Sequence, residues 1–191
     1  MTTTAGSSLP GRDAAWELLT THTTQPGLIG HALAVEAAMR SYARLLGGDE
    51  ETWGCTGLLH DFDWERHPTL EQHPSAGAPL LREAGWPEEV VHAIQSHAPH
   101  TGVARETPME RALFACDELC GFVVAVARVR PEGFAGMAPK SVKKKLKTAS
   151  FAAAVNREEV RQGAEELGVD LDEHIATVIA ALGPISGDLL T

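Results

Sequence analysis

Residues 26–48, PGLIGHALAVEAAMRSYARLLGG, read as one amphipathic helix whose start and stop are both spelled out. Pro26 suits a first helical position, where its missing N–H costs nothing, and Gly47-Gly48 ends the run. Between them Leu28, Ala32, Val35, Met39, Tyr42 and Leu46 recur at three- and four-residue steps and mark one buried face. His31 lies on the flank of that stripe, between Leu28 and Val35.

The same periodicity extends outward in both directions. Upstream, residues 1–10 are rich in Thr, Ser and Gly and are expected to fray, and a first helix begins near Asp13 and runs through Trp16, Leu18 and Leu19. Downstream, Asp49 caps a helix carrying Trp53, Cys55, Leu58 and Leu59, which delivers His60-Asp61 at its end. Residues 62–72 read as a loop. His73-Pro74 is expected to open the next helix, which Gly85 ends. Pro87 opens another, with Val90, Val91 and Ile94 inward and His97 in its last turn. Thr107-Pro-Met-Glu110 spells a capping box for a helix running through Leu113, Phe114, Asp117 and Val124 to about Arg128. Asn156 and Asp170 look like caps on two further helices. No alternation longer than four residues suggests a strand, and no internal repeat is visible. The expectation is an all-α, single-domain helical bundle.

Composition agrees and narrows the function classes. At 191 residues and 43% hydrophobic, the chain suits one globular domain with a sizeable core. Only 5% of residues are aromatic, so Ala and Leu fill the apolar positions, which favours close-packed helices. A net charge of -10 argues against nucleic-acid duplexes and anionic membrane surfaces as partners. No apolar run reaches the ~20 residues of a membrane span and no secretory leader opens the chain, so a cytoplasmic location is expected. Cys55, Cys116 and Cys120 are too few for a disulfide framework and are expected in the core. One basic run, Lys140 to Lys147, stands out, with Lys140, Lys143, Lys144 and Lys147 on one helical face; a solvated surface is its expected use.

Six residues are candidate metal ligands: His31, His60, Asp61, His73, His97 and Asp117. An imidazole nitrogen beside a carboxylate oxygen suits Zn, Mn or Fe. Asp117 is flanked by Leu113, Phe114, Cys116, Leu119 and Cys120, and burying its charge unpaired would cost several kcal/mol. Its helix offers no lysine or arginine on that face, so a cation is the simplest partner. Several helices each contributing one inward ligand is how bundles build metal sites. Asp63, in the loop after the pair, is expected to be dispensable for metal. His22, His67, His92 and His174 are read as non-ligands.

The order His31, His60-Asp61, Asp117 resembles the HD superfamily of metal-dependent phosphohydrolases, which are all-helical. With His73 and His97 it matches the longer pattern of the branches that hold two metals. The local resemblance is greatest to bacterial HD hydrolases that split diadenosine tetraphosphate, in the stretches His73-Pro-Ser-Ala-Gly-Ala, Ala93-Ile-Gln-Ser-His97 and Ala115-Cys-Asp117. Residues 137–157 look like the tail of bacterial HD proteins whose substrate is not established. Two departures stand out. Trp64 occupies the position where many HD phosphohydrolases carry a lysine, and the loop from Asp61 to His73 is short.

The resemblance implies an HD-type core over residues 11–130, with helices of 131–191 packed on it. It implies one metal on His31, His60, Asp61 and Asp117 and a second on His73 and His97, with Asp61 bridging and serving as the catalytic carboxylate. The ions would be one or two divalent transition metals from among Mn, Fe, Co, Ni and Zn. The substrate would be a phosphate ester or anhydride, a nucleotide or other small phosphorylated metabolite, split by metal-activated water. Arg66 and His100 are the candidate substrate contacts. An HD-type diiron oxygenase and a catalytically idle, metal-stabilised binding domain are the alternatives, and a homo-oligomer is left open.

Overall fold

The computed structural model describes residues 9–190, and every regular element among them is helical. The frayed terminus expected over residues 1–10 therefore lies outside the described residues, except at Leu9 and Pro10. In chain order the helices are α1 (Gly11–His22), α2 (Pro26–Leu46), α3 (Glu50–Leu59), α4 (Gly77–Glu83), α5 (Glu88–Ser96), α6 (Pro108–Arg128), α7 (Pro139–Leu146), α8 (Arg157–Leu167), α9 (Leu171–Leu182) and α10 (Ser186–Leu189).

Local signals set most of these boundaries. Gly47 closes α2 in the left-handed conformation, at φ 73°, which glycine adopts without steric cost. Asp49 accepts from the Thr52 amide at 2.7 Å to start α3. At α6 the box is reciprocal: Thr107 Oγ1 accepts from the Glu110 amide, and the Glu110 carboxylate accepts from the Thr107 amide at 2.8 Å. Asn156 and Asp170 cap α8 and α9 through paired amides of the first turn. Two expectations change. α4 opens at Gly77, not at His73-Pro74, because residues 60–76 form successive turns. Leu46, in the last turn of α2, is 47% exposed, so the buried stripe ends at Tyr42-Ala43.

α2 and α6 form the spine. α2 packs on α3 along one side and on α6 and α9 along the other, and α8 lies against α6. Their buried side chains form two apolar clusters. One joins α2 and α6 to α7 and α9 through residues such as Met39, Leu119, Phe122 and Ile175. The other joins α1, α3, α4 and α5 through Leu19, Leu58, Phe62, Leu81 and Ile94. Gly57 makes the α2–α3 contact close: a Cβ there would meet Met39 Cγ and the Val35 carbonyl oxygen at 2.9 Å.

Two buried polar side chains of the spine and its neighbours are paired. Glu36, buried on α2, is held by Arg12 at 2.7 Å and by Arg40 at 3.0 Å, which anchors α1 to the spine. His174 donates from Nε2 to the Ala115 carbonyl at 2.9 Å and accepts the Tyr42 hydroxyl at Nδ1, and burial lowers its pKa, so it stays neutral. The three cysteines are free and buried. Lys140 and Lys144 of α7 and Lys147 just after it point to solvent, while Lys143 pairs with Asp172 and Lys145 lies 4.6 Å over the Phe151 ring. No helix of the described residues is long and apolar enough to cross a membrane.

Candidate metal centre

Two of the histidines arrive by the same local device. His60 follows the last residue of α3 and His97 follows the last residue of α5. Each folds its ring back on its own helix end, with Nδ1 2.8 Å from the Gly57 carbonyl oxygen and 2.5 Å from the Ile94 carbonyl oxygen, respectively. A carbonyl only accepts, so Nδ1 carries the proton in both rings. The contact satisfies a carbonyl that a helix end leaves unpaired and turns the Nε2 lone pair inward. His73 has no helix end beneath it, and its Nδ1 lies 2.7 Å from Asp63 Oδ1 instead.

The inward nitrogens converge on two carboxylates. His31 Nε2 from α2 lies 2.9 Å from Asp117 Oδ1 of α6 and 3.2 Å from His60 Nε2. Asp61 divides its oxygens between two groups. Its Oδ2 faces His60 at 3.4 Å and His31 at 3.8 Å, while its Oδ1 faces His73 at 3.2 Å and His97 at 3.5 Å. Potential ligand atoms of His31, His60, Asp61 and Asp117 all lie within 4.8 Å of one another, as do those of Asp61, His73 and His97. Ring nitrogens that face each other, three of them with the other N–H tied down, around carboxylates with oxygens to share, are a donor set that a divalent transition metal fits.

The electrostatics match that fit. Burial alone would raise the Asp61 and Asp117 carboxyls, but the surrounding histidines outweigh it and hold both well below the usual carboxylate range. Conversely, burial disfavours a charged imidazole, yet Asp61 and Asp117 raise His60, and Asp61 and Asp63 hold His73 up to about 9. The same carboxylate charge that favours these protons would favour a cation, and the two would compete.

A cavity of about 380 Å³ opens over this cluster. Trp64, Leu70, Pro99 and Val155 line it with apolar surface, and Trp64 stands edge-on to His73, ring centroids 5.0 Å apart. His100 lies at the rim and donates from Nε2 to the His73 carbonyl at 2.8 Å, leaving Nδ1 free of that contact. No lysine or arginine lines the cavity among the described residues.

Three residues behave differently from the sequence reading. Arg66, expected as a substrate contact, is turned away: its guanidinium donates to the Thr21 carbonyl at the end of α1. The turn that carries it is pinned there by Glu65, which accepts from the Thr24 and Gln25 amides at 2.7 and 3.0 Å. Asp63, expected in an open loop, is fully buried beneath His73. Glu118 was not singled out, yet it lines the cavity with Glu159 of α8, and Asn156 joins them through its amide to Glu118 and its side chain to Glu159, at 3.1 and 2.6 Å. Burial, reinforced by the charge of Asp117, pushes the Glu118 carboxyl up to about 7. The position after Asp117 was the only hint of its place in the sequence.

Comparison with known proteins adds a family. Residues 28–120 match the HD domain family. A 91-residue stretch is 32% identical to Ribonuclease Y of Rhodopirellula baltica (strain DSM 10527 / NCIMB 13988 / SH1), covering 47% of this chain and only 17% of that protein's length. No solved structure matches the chain.

Proposed function

Because this chain carries an HD domain across residues 28–120, we propose that it is a metal-dependent hydrolase of a phosphate ester or anhydride, acting on a nucleotide or other small phosphorylated metabolite. The observation that carries the reading is the divided carboxylate: Asp61 presents one oxygen to His31 and His60 and the other to His73 and His97. In this reading His31, His60, Asp61 and Asp117 would hold one divalent ion and His73 and His97 a second, with Asp61 shared between them. When bound, such ions lower the pKa of water and neutralise phosphate oxygens.

The chain's own residues supply the rest. Asp61 is the catalytic carboxylate because it alone reaches both halves of the cluster. The Nδ1 contacts of His60, His73 and His97 fix which nitrogen faces inward, so none of these three rings has to reorient when a cation arrives. His100 offers its remaining ring nitrogen to the substrate at the rim. Trp64 and Val155 give an apolar face for the non-reacting part, and the cavity volume falls in the range of small-molecule sites. With no lysine or arginine in the lining among the described residues, phosphate charge has to be met by bound cations, so hydrolysis should depend on them strictly. The division into an HD core over 11–130 and helices of 131–191 packed on it belongs to this proposal, with the second part closing the cavity through Val155 and Glu159.

A histidine-rich donor set also suits iron, which favours an oxygen-activating diiron centre as the second reading. Metal analysis of anaerobically purified protein, followed by a screen of nucleotides and phosphorylated metabolites with Mn, Fe or Co, tests both. Phosphate or nucleotide release under strict anaerobiosis is the expected result. Turnover that stops without oxygen, or an oxidised product, would establish the oxygenase reading instead.

A further inference from the structure

We propose that Asp63 is a positioning residue that holds the His73 ring so that Nε2 faces Asp61, and that it thereby sets the cation affinity of the Asp61–His73–His97 half of the site. The inference rests on the two-cation reading above and adds a residue to it.

The local logic comes from what the other histidines have and His73 lacks. His60 and His97 follow the ends of α3 and α5, where a free main-chain carbonyl takes the Nδ1 proton. His73 precedes α4, which begins only at Gly77, so no helix end lies beneath its ring. Asp63 supplies the missing acceptor from the turn after the His60-Asp61 pair, at 2.7 Å. On the opposite edge of the same ring, Nε2 lies 3.2 Å from Asp61 Oδ1. A flipped ring would lose the Asp63 contact and turn a carbon toward Asp61.

Burial makes the arrangement specific. The Asp63 side chain is 1% exposed, and its Oδ2 has no hydrogen-bond partner. A buried carboxylate with one oxygen unsatisfied is costly, and the contact that offsets the cost is the one to the His73 imidazole. The surroundings are shaped to admit it: a Cβ at Gly77 would lie 3.0 Å from the Asp63 carboxyl carbon and Oδ2, and 2.8 Å from the Phe62 ring. Trp64 closes the other flank of His73, edge-on at 87°. A carboxylate on the outer nitrogen also makes the inner nitrogen a stronger donor to a cation, and loss of such a partner typically weakens metal binding about 10–100-fold.

Calorimetric titration of the metal-free full chain with Mn²⁺, beside metal content after loading, tests this with Asp63→Asn and Gly77→Ala. The second variant leaves the carboxylate in place but crowds it off the ring, and it remains informative if the first does not fold. The expected result is two uptake events in the wild type, and in both variants one event unchanged and the other weakened about 10–100-fold. Thermal melting of the metal-free forms shows that the fold is retained. Two unchanged events in a folded Asp63→Asn protein would overturn the inference while leaving the metal reading intact. Equal weakening of both events would overturn it as well, by making Asp63 a general support of the fold. A wild-type chain that takes up no second cation would overturn the two-cation reading and this inference with it.

Discussion

His31 Nε2 and Asp117 Oδ1 lie 2.9 Å apart although 86 positions of sequence separate them. The contact joins the two spine helices and, in the proposed function, belongs to the first cation's ligand set. Asp117→Ala should therefore abolish uptake at that half and lose activity with it. The carboxylate it removes also helps hold His60 charged in the metal-free state. Metal content of the purified variant is the measurement, and full wild-type content would remove Asp117 from the ligand set.

His73 and His97 both face Asp61 at Oδ1, at 3.2 and 3.5 Å. His73→Ala/His97→Ala should thus bind about half the wild-type metal, stay folded, and lose most of its turnover, since both ions act on one reaction centre in a two-metal site. Near-normal turnover in the double variant would mean a one-metal enzyme.

The metal-free protein should lose stability as pH rises. His73 is held at about 9, above its usual 6.5, so the folded state binds this proton more tightly than the unfolded chain does. The stability it contributes is complete below about pH 6.5 and disappears as pH climbs through about 9. Glu118, raised from 4.5 to about 7, acts in the same direction between those two values. The depressed Asp61 and Asp117 carboxyls act oppositely, and only in acid, below their usual range. A cation must displace the imidazole protons, so its uptake should release protons at neutral pH and tighten toward pH 9. Melting curves from pH 5 to 9 with chelator and with Mn²⁺ should diverge as pH rises, by about 1.4 kcal/mol for each pH unit over which one proton is displaced. Parallel curves would show that the histidines and the cation do not compete.

Gly57→Ala should destabilise the chain by about 1–3 kcal/mol, the usual cost of overpacking. Its Cβ would meet the Val35 carbonyl oxygen at 2.9 Å, and main chain cannot rotate out of the way as a side chain could. Because Gly57 also supplies the carbonyl that orients His60, metal affinity should fall together with the melting temperature. A drop in stability with unchanged metal binding would separate the α2–α3 packing from the site.

The amino-acid sequence by itself determined whatever depends on neighbours one or two helical turns away. The stripe from Ala32 to Tyr42, the caps at Asp49, Asn156 and Asp170, and the box at Thr107–Glu110 are of this kind, and together they make the chain all-helical. The residue types that converge on the cavity were legible too, because an aspartate inside an apolar helix has few inexpensive explanations. The irregular segments were decided only by the tertiary structure. Asp63 and Arg66 sit in one turn with the same kind of polar neighbours, yet one is buried beneath His73 and the other reaches the end of α1. Glu118 and Glu159 meet at the cavity because α8 packs on α6 and brings Asn156 between them. A helix repeats every 3.6 residues, so its sequence states which face is apolar. A turn has no period, and the direction of its side chains is set by whichever distant element covers it.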